Sequence, residues 1–250
     1  MSLAGSAIAQ SPNADFEPIL LPVSLVQPIP GAFGSIWATD FWVAAVGGRV
    51  EFWNSEQFGA IPPQTVLFFG SFNSVAIGTF PDETPGELIW LRRADAANAR
   101  FNLRVRDLSR ESQTWGTEVP VVRESQYRTA AITLLNVPLD PRFRVTLRAY
   151  DPDVHQHASF RFDFRDMQAG ALLASRTVGA VYKSPNTFFP RVAPCAQMGD
   201  LRGSVPEIAN QQIVRVEVSP VDEATRFWAF ASVTNNETQH VTLITPQQQP

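Results

Sequence analysis

Residues Arg100–Pro120, RFNLRVRDLSRESQTWGTEVP, and Arg226–Pro246, RFWAFASVTNNETQHVTLITP, are two versions of one phrase. Arg100 answers to Arg226 and Pro120 to Pro246 without a gap, and Glu111-Ser112-Gln113 answers to Glu237-Thr238-Gln239. In each, an alternating run after Arg-Phe reads as a late strand, the Glu-Ser/Thr-Gln stretch as a turn, and the residues up to the proline as the last strand. Proline closes the ladder because it has no N–H to donate. A second stretch, GELIWLRR (Gly86–Arg93), lies against QQIVRVEV (Gln211–Val218) one residue out of step, and WATDFWVAAVGGRVEFW from Trp37 matches the stretch from Tyr127 more loosely. Half of the 250 residues is enough for a core, since domains of about 100–150 residues are common.

The dominant period is two. Phe143, Val145, Leu147 and Ala149 alternate with Arg142, Arg144, Thr146 and Arg148, and Phe160, Phe162 and Phe164 alternate with Arg161, Asp163 and Arg165. Successive strand residues point to opposite faces, so each run has one apolar and one polar side. Pro62-Pro63, Pro85-Gly86, Pro138, Pro141 and Pro152 punctuate the runs as turns do. No long helix is expected; SEQFGAIPP (Ser55–Pro63) and DMQAGALLASR (Asp166–Arg176) have room for a turn or two. The expected fold is all-β: two tandem antiparallel β-sandwich domains from an internal duplication, over residues 16–121 and 122–247. The second carries a long insertion around Ser175–Glu207, and residues 1–15 and 248–250 are a flexible terminus and a tail. The alternative is one larger sandwich or barrel. VPVVRESQY (Val119–Tyr127) joins the halves without a Gly/Ser spacer, which predicts a fixed angle between them.

Composition narrows the function classes. A net charge of −4 offers no global attraction to nucleic acid. Cys195 is the only cysteine, which excludes an intrachain disulfide and a metal site built on several thiolates. No apolar run reaches the ~18–20 residues of a membrane-spanning helix. Ala7-Ile8-Ala9 before Gln10 has the small-x-small form of a signal-peptidase site, so a secreted, periplasmic or cell-surface location is expected. In SIWATD, LRVRDLSRESQTWGTEVPVVRE and ITLLNVPLDPRFRVTLRAYD the chain resembles uncharacterised exported bacterial proteins that pair two β-sandwich units. The resemblance implies export and tandem β-domains, and no activity.

Candidate sites are few. Asp151, Asp153, His155 and His157 in YDPDVHQH lie at alternate positions and can be read as ligands of a divalent metal in a metal-dependent enzyme, or as a solvent-exposed turn bent at Pro152. Trp115, Trp42 and Trp53 are the candidate contacts for a glycan or a partner. Trp115 follows the turn and answers to Val241, so its place demands no indole; Trp42 and Trp53 have Phe41 and Phe52 beside them, which makes both faces of their strands hydrophobic. Arg142, Arg144, Arg148, Arg161 and Arg165 form a ladder that suits an acidic ligand, or that pairs with carboxylates across strands. Asp82/Glu83 and Glu207/Glu217 are pairs of ordinary surface charge before they are a glycosidase acid and base. No Gly-x-Ser-x-Gly elbow and no phosphate-cradling glycine loop occurs. Cys195 has no base beside it and reads as a buried thiol. Phe16–Pro28 reads as the first strand, or as a donor strand completing a neighbour's sheet. The expectation is therefore a non-catalytic structural or interaction protein that needs no cofactor and engages a protein partner or a second copy of itself. The alternatives are carbohydrate binding through exposed Trp and the metal-dependent enzyme.

Overall fold

The computed structural model describes residues 14–25, 28–54, 57–69, 86–182, 192–221 and 226–246. Seventeen strands account for the period-two runs among these residues, and the only α-helix among them is the single turn α1 (Leu201–Ser204). No helix of the described residues is long and apolar enough to cross a membrane.

The N-terminal half contains β1 (Phe16–Leu21), β2 (Ile29–Pro30), β3 (Ile36–Ala45), β4 (Val50–Asn54), β5 (Gln57–Ile61), β6 (Thr65–Phe69), β7 (Glu87–Arg92), β8 (Ala99–Asp107) and β9 (Thr117–Val119). The C-terminal half contains β10 (Ile132–Pro138), β11 (Phe143–Tyr150), β12 (Ser159–Asp166), β13 (Leu172–Gly179), β14 (Cys195–Met198), β15 (Ile213–Pro220), β16 (Trp228–Asn235) and β17 (Val241–Ile244). They form four antiparallel sheets, none closed on itself among the described residues. Sheet I runs β3-β8-β9, with β2 and β6 both on the free side of β3; sheet II runs β1-β7-β4-β5. Sheet III runs β14-β11-β16-β17, and sheet IV runs β10-β15-β12-β13.

The two halves carry the same strand order. With the two-residue β2 set aside, the strands from β1 to β9 match those from β10 to β17 one for one. Sheet II then becomes sheet IV, and β6-β3-β8-β9 becomes β14-β11-β16-β17. The repeated phrase sits in corresponding places, β8–β9 and β16–β17. The looser match of Trp37 with Tyr127 does not hold: Trp37 lies in β3, whose counterpart is β11, whereas Tyr127 precedes β10. Unequal connections cause the slip, since Leu21 to Ile36 is a long link and Pro138 to Phe143 a short one. The reverse inequality, Gly179 to Cys195 against Ile61 to Thr65, falls within the expected insertion.

Two expected helical turns are strands instead. Gln57–Ile61 pairs with β4, where Gly59 leaves space for the Phe52 ring that a Cβ would strike. In the other, Asp166 accepts from the N–H groups of Gln168 and Ala169 and Gly170 adopts φ 72, so the chain reverses at once into β13.

Alternation sends side chains into three cores. Ile19, Leu21, Ile89 and Leu91 of sheet II meet Phe41, Val43, Leu103 and Val105 of sheet I. Phe160, Phe162, Phe164, Val214 and Val216 of sheet IV meet Leu147, Ala149, Ala229 and Ala231 of sheet III. The third core joins the opposite faces of sheets II and III: Leu20, Leu88 and Trp90 with Tyr150, Trp228 and Phe230. Sheets II and III are thus apolar on both faces, which is why ILL, LIWL and FWAFA are nearly unbroken apolar runs. Each large side chain buried there contributes about 1.5–3 kcal/mol relative to exposure.

The segment between the halves is tied to both. Leu20 and Val122 exchange two backbone hydrogen bonds of 2.9 Å, and Arg128 and Phe227 exchange two of 2.8 Å. The Tyr127 hydroxyl donates to the Pro18 carbonyl at 3.1 Å, and Arg123 pairs with Glu17. Phe16–Leu21, the possible donor strand, pairs with β7 of its own chain over all six residues.

Candidate functional site

The outer face of sheet I exposes large apolar side chains. In β3, Phe41 and Val43 point into the core, so Asp40 and Trp42 point out. The register sets Trp42 opposite Phe68 of β6 on one side and Asn102 of β8 on the other, and Asp40 opposite Arg104. Cross-strand partners share a face, and the Trp42 and Phe68 rings lie 4.1 Å apart between centroids, tilted by 32°. Both are exposed, at 41% and 49%, and Val66 and Ile36 on the same sheet are exposed too.

Trp115 joins this face from the turn between β8 and β9. The N–H groups of Gln113 and Thr114 donate to the Arg110 carbonyl at 2.8 and 3.1 Å, and the Thr114 hydroxyl oxygen accepts from the Gly116 N–H at 3.1 Å. Gly116 has φ +88, and a Cβ there would lie 2.4 Å from the Val105 carbonyl oxygen. This close approach swings Trp115 over Arg104, whose guanidinium is 5.9 Å from the ring centre. The indole is 75% exposed.

A charged rim surrounds the rings. Arg106 pairs with Asp40 and with Glu111, each at 2.6 Å. Asp107, buried at the end of β8, accepts from the Ile36 N–H at 2.9 Å and from the Ser109 hydroxyl at 2.7 Å, and pairs with Arg110 at 2.6 Å. Burial works to raise its pKa; the hydrogen bonds from Ser109, Ile36 and Arg110 outweigh burial and hold the carboxyl below the ordinary aspartate value.

The corresponding place in the C-terminal half is filled differently. At the spacing of the repeated phrase Asn102 corresponds to Trp228, and their cross-strand partners are Trp42 and Tyr150. Arg104 corresponds to Phe230. In sheet III this place is buried under sheet II, with Tyr150 and Phe230 at 0% exposure and Trp228 at 4%.

The remaining candidates lie elsewhere. Trp53 is half-buried and packs on the third core, its register partner being Trp90. The structure therefore brings Trp42 and Trp115 to one face and puts Trp53 on another. Phe68 and Val66, which complete the face, were missed by sequence reading. The alternation of Val66 and Phe68 around Leu67 carried the signal, but not which strand they join.

The Asp151–His157 loop is a braced turn. Asp151 is fully buried; its carboxylate accepts from the N–H groups of Asp153 at 3.0 Å and His155 at 2.6 Å, and lies 2.9 Å from His155 Nδ1. Asp153 turns away to Arg226, which also holds Glu124 at 2.9 Å. The Asp153 hydrogen bond is the main cause that raises the Arg226 pKa. His157 is exposed. Among the described residues no three His, Cys, Asp or Glu side chains gather as metal ligands would.

Glu207 pairs with Arg176, and Glu217 with Arg165 and Arg215, so these two carboxylates do not form a pair of their own. Asp82 and Glu83 lie outside the described residues, as do Ala7–Gln10. Cys195 is buried. No protein-family model, curated protein or solved structure matches this chain.

Proposed function

We propose that the chain is two copies of one β-sandwich unit, bounded near residues 16–121 and 122–247, and that it serves as a non-catalytic interaction protein. The shared strand order and the equivalent places of Arg100–Pro120 and Arg226–Pro246 support the duplication. The three cores support a stack with sheets in the order I, II, III, IV. On this reading the protein acts outside the cytoplasm, as Ala7-Ile8-Ala9-Gln10 suggested.

One observation carries the function: Trp42 and Phe68 stand open on sheet I at the place where sheet III buries its counterparts. An aromatic centre with Asp40, Arg104 and Arg106 around it has the anatomy of a protein interface, apolar within and charged at the rim. The partner is a protein presenting an apolar sheet face, and the first to test is a second copy pairing sheet I with sheet I about a two-fold axis. Sedimentation velocity over a wide concentration range tests it. The wild-type chain is expected to dimerise and the W42D/F68D double variant to stay monomeric; a wild-type chain that stays monomeric throughout overturns the self-pairing.

A second reading rests on Trp115. One ring face meets Arg104, and the 75% exposure leaves area on which a sugar ring could stack. A glycan array probed with wild type and Trp115→Ala decides it, since stacking requires hits that the variant loses.

A further inference from the structure

Three arginines of the ladder have carboxylate partners: Arg142 with Asp140 at 2.8 Å, Arg161 with Asp163 at 3.4 Å and Arg165 with Glu217 at 2.6 Å. Arg144 and Arg148, both half-buried on the outer face of β11, have none among the described residues. Arg144 donates to the side-chain oxygens of Asn236 at 3.0 Å and Gln239 at 2.8 Å. Arg148 donates to Gln197 Oε1 at 3.0 Å and to the Ser232 hydroxyl at 3.3 Å. Neutral acceptors orient a guanidinium without cancelling its charge. Burial alone lowers the Arg144 pKa, with no carboxylate to offset it.

A loop of the N-terminal half reaches this place. The Phe33 ring lies 5.2 Å from the Arg144 guanidinium and is 64% exposed. Phe33 has φ 56, in the left-handed region, which costs a residue with a Cβ about 1–2 kcal/mol. Arg110 steadies the loop through the Phe33 carbonyl at 3.2 Å. Beyond that ring, Thr146 lies between the two arginines along β11, and Ser232 lies across from it on β16.

We propose that Arg144, Arg148 and Phe33 form a binding site for an acidic oligosaccharide. Uronate carboxylates meet the two guanidiniums, the apolar face of a pyranose ring lies on Phe33, and Thr146 and Ser232 meet sugar hydroxyls. The arginines are four residues apart on one strand, about 13 Å between Cα atoms at ~3.3 Å per residue, which suits a chain with repeated carboxylates. An extended acidic peptide is disfavoured because β11 pairs with β14 on one side and β16 on the other, leaving no edge for strand addition. The proposed ligand contacts on sheet III and on Phe33 include none of Trp42, Phe68 and Trp115 of the aromatic face.

Titration calorimetry of the full chain with a short oligogalacturonate tests this. Saturable binding is expected, absent with the methyl-esterified oligomer, and weakened about tenfold or more in R144Q and in R148Q. Phe33→Ala should weaken it less. R144K, which keeps the charge and loses the two-amide clamp, should fall between wild type and R144Q. No binding of the oligogalacturonate overturns the site. So does equal binding of an oligoglutamate or a single-stranded oligonucleotide, or an affinity unchanged in both glutamine variants.

Discussion

Sheets I and III hold the same place in the strand order, yet their outer faces have opposite fates. On the two inner strands of sheet III the cross-strand pair Tyr150–Trp228 is buried, whereas at the corresponding place in sheet I Trp42 faces solvent beside Asn102. The inward residues agree better. Leu103 and Val105 correspond to Ala229 and Ala231, all four buried. The alanines face a sheet that offers Phe160, Phe162 and Phe164, so volume lost on one side is recovered on the other. Inward positions answer to a core that both halves must fill. Outward positions answer to whatever lies beyond the sheet: sheet II packs on the Tyr150, Trp228 and Phe230 part of sheet III, and among the described residues no sheet packs on the outer face of sheet I.

The sharpest way to break this comparison is to delete one ring from each face. Phe230→Ala empties a fully buried site in the third core and is expected to cost about 3–5 kcal/mol. Trp42→Ala removes an exposed ring and is expected to cost under about 1 kcal/mol in the same denaturant titration of the full chain. Equal costs would mean that the two faces are not the buried and open versions of one surface.

Next in size is Asp107, which stands where Val233 does in the other copy of the phrase. Both side chains are buried, but Asp107 binds the start of β3 through the Ile36 N–H and the following turn through Ser109 and Arg110. Asp107→Val makes the two copies alike and strands those donors, at an expected cost of about 2–3 kcal/mol. The pH dependence has a definite sign. The folded-state pKa is depressed, so the carboxylate's contribution is complete above the ordinary aspartate value of about 4 and is lost as pH falls through the lower folded value. Stability of the wild type should therefore drop more than that of Asp107→Val between about pH 5 and about pH 2. Parallel acid profiles for the two proteins would remove the anchor from the account.

The sequence was legible wherever the determinant was local. Alternation marked β8, β11, β12 and β16, and the turn at Glu111–Gln113 followed from its polar residues between two alternating runs. The fates of Trp42 and Trp53 were not legible. Each has a phenylalanine beside it and so the same local pattern, but Trp53 lies in the sheet that sheet III covers and Trp42 in one that no other sheet covers among the described residues. Sheet neighbours are set by pairings between distant residues, and no window of the sequence contains them. The same limit hid Phe68, whose meaning depends on its pairing with Trp42. It also hid the role of Asp151, whose carboxylate is turned to backbone donors rather than outward with its neighbours. The neutral partners of Arg144 and Arg148 were equally invisible, since the ladder looks uniform until the partners of each arginine are placed.

The two smallest effects concern the turn that adds Trp115 to the open face, at the place of Val241 in the other copy. Gly116→Ala puts a Cβ against the Val105 carbonyl in a left-handed backbone, and is expected to cost about 1–2 kcal/mol. Trp115→Ala should change stability by no more than about 0.5 kcal/mol, because the ring is 75% exposed and its clearest contact is Arg104. The pair of variants separates scaffold from surface. Both should weaken any ligand held by the indole, but only the glycine variant should shift the unfolding midpoint. A Trp115→Ala protein as destabilised as Gly116→Ala would show that the ring supports the fold, and the difference between the open and covered faces would then have to rest on Trp42 and Phe68 alone.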